Sequence, residues 1–199
     1  MVIKTKVAFL LLPLLFFIFS QKGEAQQSKA FEWSLALQNV KSNDLVPFSV
    51  PVKSSTGEKF RLVINPETAC YCYVIAESPP GDDVGILYAG PLKNGELWYS
   101  PVMELTNPQG TESLFIITSK DEQRTLAQRI AAFKANPGNI QRRALMNEVF
   151  RIRSNVSQFK EAPEKPVLMG GASRGAPEKS QGVQFSGAET YVKTISSEH

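Results

Sequence analysis

The sequence predicts a mainly β protein: an antiparallel β-sandwich of roughly seven strands, immunoglobulin-like in outline, with a helical hairpin inserted before the last strand. Two observations carry this prediction. Between residues 60 and 119, apolar side chains alternate with turn residues as they do in successive strands of a sheet. After Ser119 the spacing of apolar residues changes from two to about 3.6, the period of an α-helix, and alternation returns near residue 183.

Residues 1–25 are typical of a signal peptide. Lys4 and Lys6 give a positive start, residues 7–19 are apolar, and small residues lie at the end of the segment. The apolar stretch is shorter than the ~20 residues of a membrane-spanning helix, although an uncleaved membrane anchor is the alternative. We therefore expect an exported protein, periplasmic or secreted, in which residues 26–199 form one β-rich domain without a membrane span.

Two alternating stretches open this domain. Phe31–Leu37 places four apolar residues on one face, which predicts a half-buried strand, with a short amphipathic helix as the alternative. Val46–Val52 also alternates, but its two prolines confine it to an edge strand or an extended lead-in.

Four further runs form the centre of the predicted sheets. Phe60–Ile64 alternates, whereas Ala69–Ala76 and Leu114–Thr118 are apolar on both faces and are therefore predicted to be central strands. The segment Ser78–Asp83 contains two prolines and a glycine, which predicts a turn. Val84–Tyr88 should consequently pair antiparallel with the strand before that turn.

A succession of strand and turn motifs carries a resemblance to a known family. The motifs are Gly57–Leu62, Cys70–Val74, Gly85–Tyr88 and Gly110–Ser119. In this order they resemble the bacterial family catalogued as domain of unknown function 4384 over about residues 52–120, with a match to the final strand left open. The chain departs from the family at Tyr88–Ala89 and in the length of the stretch after Ser119. The resemblance implies a β-rich interaction domain of envelope or signalling proteins, and it implies no active site.

Two helices are predicted to form a hairpin over about residues 121–159. Asp121 or Ser119 is expected to cap the first helix, Glu122–Lys134, and the second runs over Ile140–Gln158. The apolar seam of the second helix consists of Leu145, Val149, Ile152, Val156 and Phe159. This spacing also suits a coiled coil, but the seam is short, so we expect the helices to pack on each other or on a sheet.

The remaining chain divides into a linker and a strand region. Residues 160–182 are rich in proline, glycine, serine and charge, which predicts a flexible linker. Val183–Phe185 and Tyr191–Ile195 then alternate again. A disordered tail has no buried face that would require apolar residues at alternate positions. We therefore expect residues 183–195 to complete the sheet.

The residue inventory argues against several kinds of chemistry. The one histidine is His199, so a catalytic triad, a Cys–His pair or a histidine-based zinc site would depend on the last residue. Loss of residues 1–25 removes three lysines and one glutamate and lowers the formal net charge from +3 to +1. This near-neutral balance does not favour nucleic-acid binding. We expect no enzyme activity, no cofactor and no metal.

The two cysteines, Cys70 and Cys72, lie on one face of a predicted strand. Cα atoms two positions apart in a strand are separated by ~6.5–7 Å, at or beyond the limit of an unstrained disulfide. We therefore favour two buried free thiols. A strained redox-active bridge and a soft-metal site are the alternatives, the latter with an incomplete set of ligands.

Two groups of residues are candidates for binding. The candidate ligand-binding aromatics are Tyr71, Tyr73, Trp98 and Tyr99, although large aromatics in a small β domain more often belong to the core. The candidate partner contacts are Arg142, Arg143, Arg151 and Arg153, which lie mostly away from the helical seam. The sequence thus favours a non-enzymatic module that binds another envelope protein. The alternative is a domain that binds a glycan or another small ligand through exposed aromatics.

Overall fold

The computed structural model describes residues 31–48, 50–79, 83–106, 109–157, 165–168, 181–187 and 189–199. The predicted signal peptide lies outside these ranges, and so do most of the predicted linker and Phe159 of the predicted seam. Within them the chain forms twelve strands and two helices. The predicted fold class is confirmed, because two multi-stranded sheets form a sandwich-like arrangement and a helical hairpin precedes the C-terminal strands.

The chain contains both long strands and strands of only two residues. The strands are β1 (Phe31–Asn39), β2 (Leu45–Val46), β3 (Val52–Lys53), β4 (Lys59–Pro66), β5 (Cys70–Ser78), β6 (Asp83–Leu92), β7 (Trp98–Tyr99), β8 (Met103–Glu104), β9 (Thr111–Ser119), β10 (Lys165–Leu168), β11 (Gln181–Gly187) and β12 (Thr190–Glu198). The helices are α1 (Arg124–Ala135) and α2 (Asn139–Ser157). Within the described residues, neither helix has the length and apolar character needed to cross a membrane.

The strands belong to two sheets. The outer sheet has the order β10-β11-β1-β4-β7, with β2 added beside β1 and β8 beside β4. The central sheet has the order β3-β12-β9-β5-β6. The pairings are antiparallel except the short one between β12 and β3. β5 and β9 are interior strands, as their runs of apolar residues predict, and β5 pairs antiparallel with β6.

The first core lies between the two sheets, because alternate residues of a strand point to the same face. Trp33 and Leu35 of β1 and Ile64 of β4 face inward from the outer sheet, and Cys72 of β5 and Ile116 of β9 belong to the same cluster from the central sheet. All five side chains are fully buried. Burial of one leucine or isoleucine side chain stabilises the fold by about 1.5–3 kcal/mol, so this layer joins the sheets firmly.

The second core lies on the opposite face of the central sheet, against the helical hairpin. Ile75 of β5 and Ile117 of β9 pack in one cluster with Leu126 of α1 and with Leu145 and Val149 of α2. These side chains are also fully buried. The predicted seam of the second helix therefore packs on the sheet, and the domain has three layers: outer sheet, central sheet and helices.

The start of α1 corrects our expectation that Ser119 or Asp121 would cap it. The helix begins at Arg124 and has no side-chain cap. Ser119 is the last residue of β9, where its hydroxyl donates to the carbonyl of Asp121 at 2.6 Å. The backbone N–H of Gln123 instead donates to the phenolic oxygen of Tyr73 at 3.0 Å. A tyrosine of the central sheet thus takes the role of a cap and anchors the hairpin.

The strands after the hairpin contribute to both sheets. β10 lies within the stretch predicted as linker and pairs with β11. β11 pairs with β1 in the outer sheet, whereas β12 pairs with β9 over nine positions in the central sheet. Residues 183–195 therefore complete two sheets rather than one.

Truncation after Gly182 should prevent cooperative folding, because it removes most of β11 and all of β12. The central sheet would lose β12, one of the two strands that pair with β9. The first core would lose Tyr191 and Ile195, both of which are buried. We expect an insoluble product or the loss of a cooperative thermal transition in circular dichroism. A truncated protein that unfolds at the same temperature as the full chain would contradict this role of β12.

Candidate functional site

The four candidate aromatics lie in three different environments. Tyr73 is 2% exposed and belongs to the core beneath the hairpin, and Tyr71 is partly buried against the same core. Trp98 is half-buried at the first core, with its ring centroid 4.9 Å from that of Tyr88. Tyr99 is 46% exposed. The structure therefore does not bring the four together as one platform, and Tyr99 is the most accessible of them.

Two of the candidate arginines have polar neighbours in the structure. Arg151 binds the carboxylate of Glu148 with two hydrogen bonds, from Nε at 2.8 Å and from Nη2 at 2.6 Å. Arg142 donates to the side-chain oxygen of Asn139 at 3.3 Å. Burial raises the pKa of Glu77, and the positive charge of Arg142 partly opposes this rise. Both guanidinium groups therefore form hydrogen bonds with other residues of α2.

The other two candidate arginines, Arg143 and Arg153, are exposed. At 3.6 residues per turn they are separated by only about 80° around α2, but the four candidate arginines together are spread over about 180° of its circumference. The structure therefore does not gather the four arginines on a single surface.

Cys70 and Cys72 are free thiols, and both point into the first core. Burial raises the pKa of Cys70 to about 11. Burial also raises the pKa of Cys72, and a charge on Cys70 would raise it further. The thiols are therefore protonated near neutral pH and act as small apolar side chains. Among the described residues, no group of three or more His, Cys, Asp or Glu is placed to hold a metal ion.

Alkylation should distinguish free thiols from a disulfide. In native protein at pH 8 we expect no reaction, because the thiolate is the reactive form and burial holds both thiols in the protonated form. After denaturation without reductant, intact mass should show two added alkyl groups. No adduct before reduction and two after it would show that Cys70 and Cys72 form a bridge.

A surface along β7 and β8 concentrates exposed apolar side chains. Leu97 is 36% exposed, Tyr99 46% and Val102 54%, and these are three of the six large apolar residues that are exposed in the described part of the chain. Tyr99 lies opposite Val63 of β4, on the face of the outer sheet that points away from the first core. We call Arg61, Leu97, Tyr99 and Val102 the Tyr99 surface.

A bulge shapes the edge on which these residues lie. Tyr99 pairs with Val63 and Met103 pairs with Phe60, so four steps along the edge correspond to three steps along β4. Ser100 lies within this irregular part of the edge, between Tyr99 and Met103. Its hydroxyl accepts a hydrogen bond from the backbone N–H of Leu62 at 2.9 Å and donates to the carbonyl of Pro101 at 2.7 Å.

Arg61 of β4 lies beside Tyr99 and is held on two sides. Its Nε donates to Oε1 of Gln38 at 2.7 Å. Its guanidinium carbon is 5.0 Å from the centroid of the Tyr99 ring, a cation–π contact. No local sequence pattern marks Arg61, because its contact with Gln38 of β1 follows from the strand register that places the two residues opposite each other.

The turn between β1 and β2 orients Gln38. Its Nε2 donates to the carbonyl of Asn43 at 3.1 Å. Asn43 has a φ of 60°, a left-handed conformation that asparagine tolerates better than most residues. The side-chain oxygen of Asn39 accepts hydrogen bonds from the N–H groups of Lys41 and Ser42, which stabilises the turn. Gln38 therefore presents its oxygen, and not its NH2 group, to Arg61.

No protein-family model matches the chain, and no curated protein gives a significant match to its sequence. The resemblance to the family of domain of unknown function 4384 over residues 52–120 stays a prediction from the motifs that now lie in β4, β5, β6 and β9.

Ser100→Ala should destabilise the edge that carries the Tyr99 surface by about 1–3 kcal/mol, because the buried N–H of Leu62 loses its acceptor. Chemical denaturation monitored by tryptophan fluorescence measures this change. Ser54→Ala is the matched control, since the Ser54 hydroxyl is buried without a partner among the described residues and its loss should cost much less. Equal effects of the two substitutions would show that the Ser100 hydrogen bond does not stabilise the bulge.

Proposed function

We propose that the protein is exported and acts by binding another protein through the Tyr99 surface, without catalysing a reaction. The observation that carries this proposal is the concentration of Leu97, Tyr99 and Val102 as exposed side chains beside a positioned arginine. Export is supported by the signal-peptide pattern of residues 1–25. A role in the bacterial envelope is supported by the resemblance described above.

The composition of the Tyr99 surface suits a protein interface. Tyrosine and arginine are enriched among the residues that carry most of the binding energy in such interfaces, and the flanking apolar side chains exclude water around them. Tyr99 lies on a strand, and Arg61 lies on the long strand beside it. Little conformational freedom would therefore be lost when a partner orders these side chains.

The helical hairpin offers a weaker contact surface than the sequence suggests. Its seam is buried against the central sheet, so Leu145 and Val149 are not accessible to a partner. Arg151 is paired with Glu148, and the four candidate arginines are spread over about 180° of the circumference of α2. These features support the outer sheet as the place of contact.

Glycan binding is less well supported than protein binding. Stacking of a sugar needs an open aromatic face, and Arg61 occupies one side of the Tyr99 ring. Tyr73 and Trp98 pack against the two cores, which removes them from a shared platform. A glycan array probed with the protein provides an independent test of this alternative.

The proposal predicts that the double variant Tyr99→Ser/Val102→Ser weakens partner binding about tenfold or more, the loss expected when central interface residues are truncated. Partners would be isolated from envelope extracts with the wild-type protein, identified, and their affinities measured with purified components. The variant Arg143→Glu/Arg153→Glu is the matched control on the hairpin. Thermal unfolding of each variant verifies that the fold is intact.

Two outcomes would contradict the proposed surface. Retained binding by the Tyr99→Ser/Val102→Ser protein together with loss in the hairpin variant would move the contact to α2. Glycan-array binding that disappears with Tyr99→Ser would favour the small-ligand alternative.

A further inference from the structure

We propose that Arg61 recognises a carboxylate of the partner, so that the partner presents an Asp or Glu side chain between apolar residues. This inference rests on the proposed function, because it assigns the chemistry that the Tyr99 surface would bind. It goes further by naming the recognised group and the residue that recognises it.

The hydrogen-bonding capacity of Arg61 is only partly used. Its Nε is bound to Gln38, and one face of its guanidinium group lies against Tyr99. Among the described residues, its two terminal NH2 groups have no hydrogen-bond partner. These groups form a planar pair of donors whose geometry matches the two oxygens of a carboxylate. Because Nε and the ring already hold the group in place, a carboxylate would bind a pre-oriented donor pair.

The charge of Arg61 is also not neutralised by an ion pair within the described part of the chain. β4 carries two basic residues, and the other, Lys59, forms an ion pair with Glu104 at 3.2 Å. Arg61 has no carboxylate within ion-pair distance among the described residues. One unpaired cation favours a single carboxylate over a polyphosphate or nucleic acid, which are bound by several basic residues together.

Gln38 is the positioning residue for this interaction. Its amide holds Arg61 through an oxygen that is polar but uncharged, while its NH2 group is held by the carbonyl of Asn43. A glutamate at this position could make the same contact to Arg61 and would neutralise it. Glutamine therefore orients the guanidinium group and leaves its charge available.

The residues around Arg61 indicate which kind of partner residue lies on either side of the carboxylate. Tyr99 covers one side of the guanidinium group, and Leu97 and Val102 are exposed within three sequence positions of Tyr99. Apolar partner residues on either side of the carboxylate would cover these side chains and exclude water from the ion pair. Exclusion of water strengthens a charge-assisted hydrogen bond.

Two synthetic peptides test the proposal directly: acetyl-Leu-Asp-Leu-amide and its uncharged analogue acetyl-Leu-Asn-Leu-amide. Each is titrated into 15N-labelled protein while the Nε–H signal of Arg61 and the backbone signals of residues 97–102 are followed by NMR. We expect the Asp peptide to shift these signals in a saturable manner and to bind at least tenfold more tightly than the Asn peptide.

Three variants separate charge from structure. Arg61→Met removes the charge and keeps an extended side chain, and Gln38→Glu keeps Arg61 and neutralises it. Both should reduce the preference for the Asp peptide to less than about twofold. Arg143→Met removes an exposed arginine from the hairpin and should leave the preference unchanged. If Gln38→Glu strongly lowers the thermal unfolding temperature, only Arg61→Met is used to test whether the charge of Arg61 causes the preference for the Asp peptide.

Each result bears on the proposal. Equal binding of the two peptides at residues 97–102, or a preference that survives Arg61→Met, would overturn carboxylate recognition and leave the Tyr99 surface as the proposed interface. Absence of any shift at Arg61 with the Asp peptide would also overturn it, while the partner-binding experiment with Tyr99→Ser/Val102→Ser decides the proposed function separately.

Discussion

Burial of the central sheet on both faces is the constraint on which the rest of the structure depends. β5 and β9 carry apolar residues on either side, and neither strand could remain in water with one face uncovered. The chain meets this requirement with two different covers: the outer sheet on one face and the helical hairpin on the other. The phenolic oxygen of Tyr73 links the second cover to the sheet by a hydrogen bond at the start of α1.

This arrangement separates the residues that stabilise the fold from those available for contact. The apolar seam of the hairpin is buried, and Arg151 is paired with Glu148, so these side chains make contacts within the domain. One face of the outer sheet lines the first core, and its other face points away from that core. Arg61 and Tyr99 lie on that second face, where the register of β4 with its neighbours brings them together.

The sequence predicted the long elements well because their signals are local. Alternation assigned Cys72 and Tyr73 to opposite faces of β5, and the structure confirms this. The same rule could have separated Trp98 from Tyr99, since neighbouring residues of a strand face opposite sides. The contact of Gln38 with Arg61 spans 23 positions and follows from strand register, which no local spacing reveals. The role of Tyr73 at the helix start depends on tertiary packing in the same way, because it acts 50 residues away.

The position of β12 has a consequence for the way the protein folds. β12 is inserted between β9 and β3, and Ser197 of β12 contacts Val52 of β3 across 145 positions of sequence. Closing so long a loop costs chain entropy before the contact stabilises anything, which makes folding slow compared with a helical protein of this size. Before β12 docks, β9 presents an unpaired strand edge and apolar side chains to other molecules. Productive folding therefore competes with aggregation at β9, and a chaperone that covers this edge would favour the native protein.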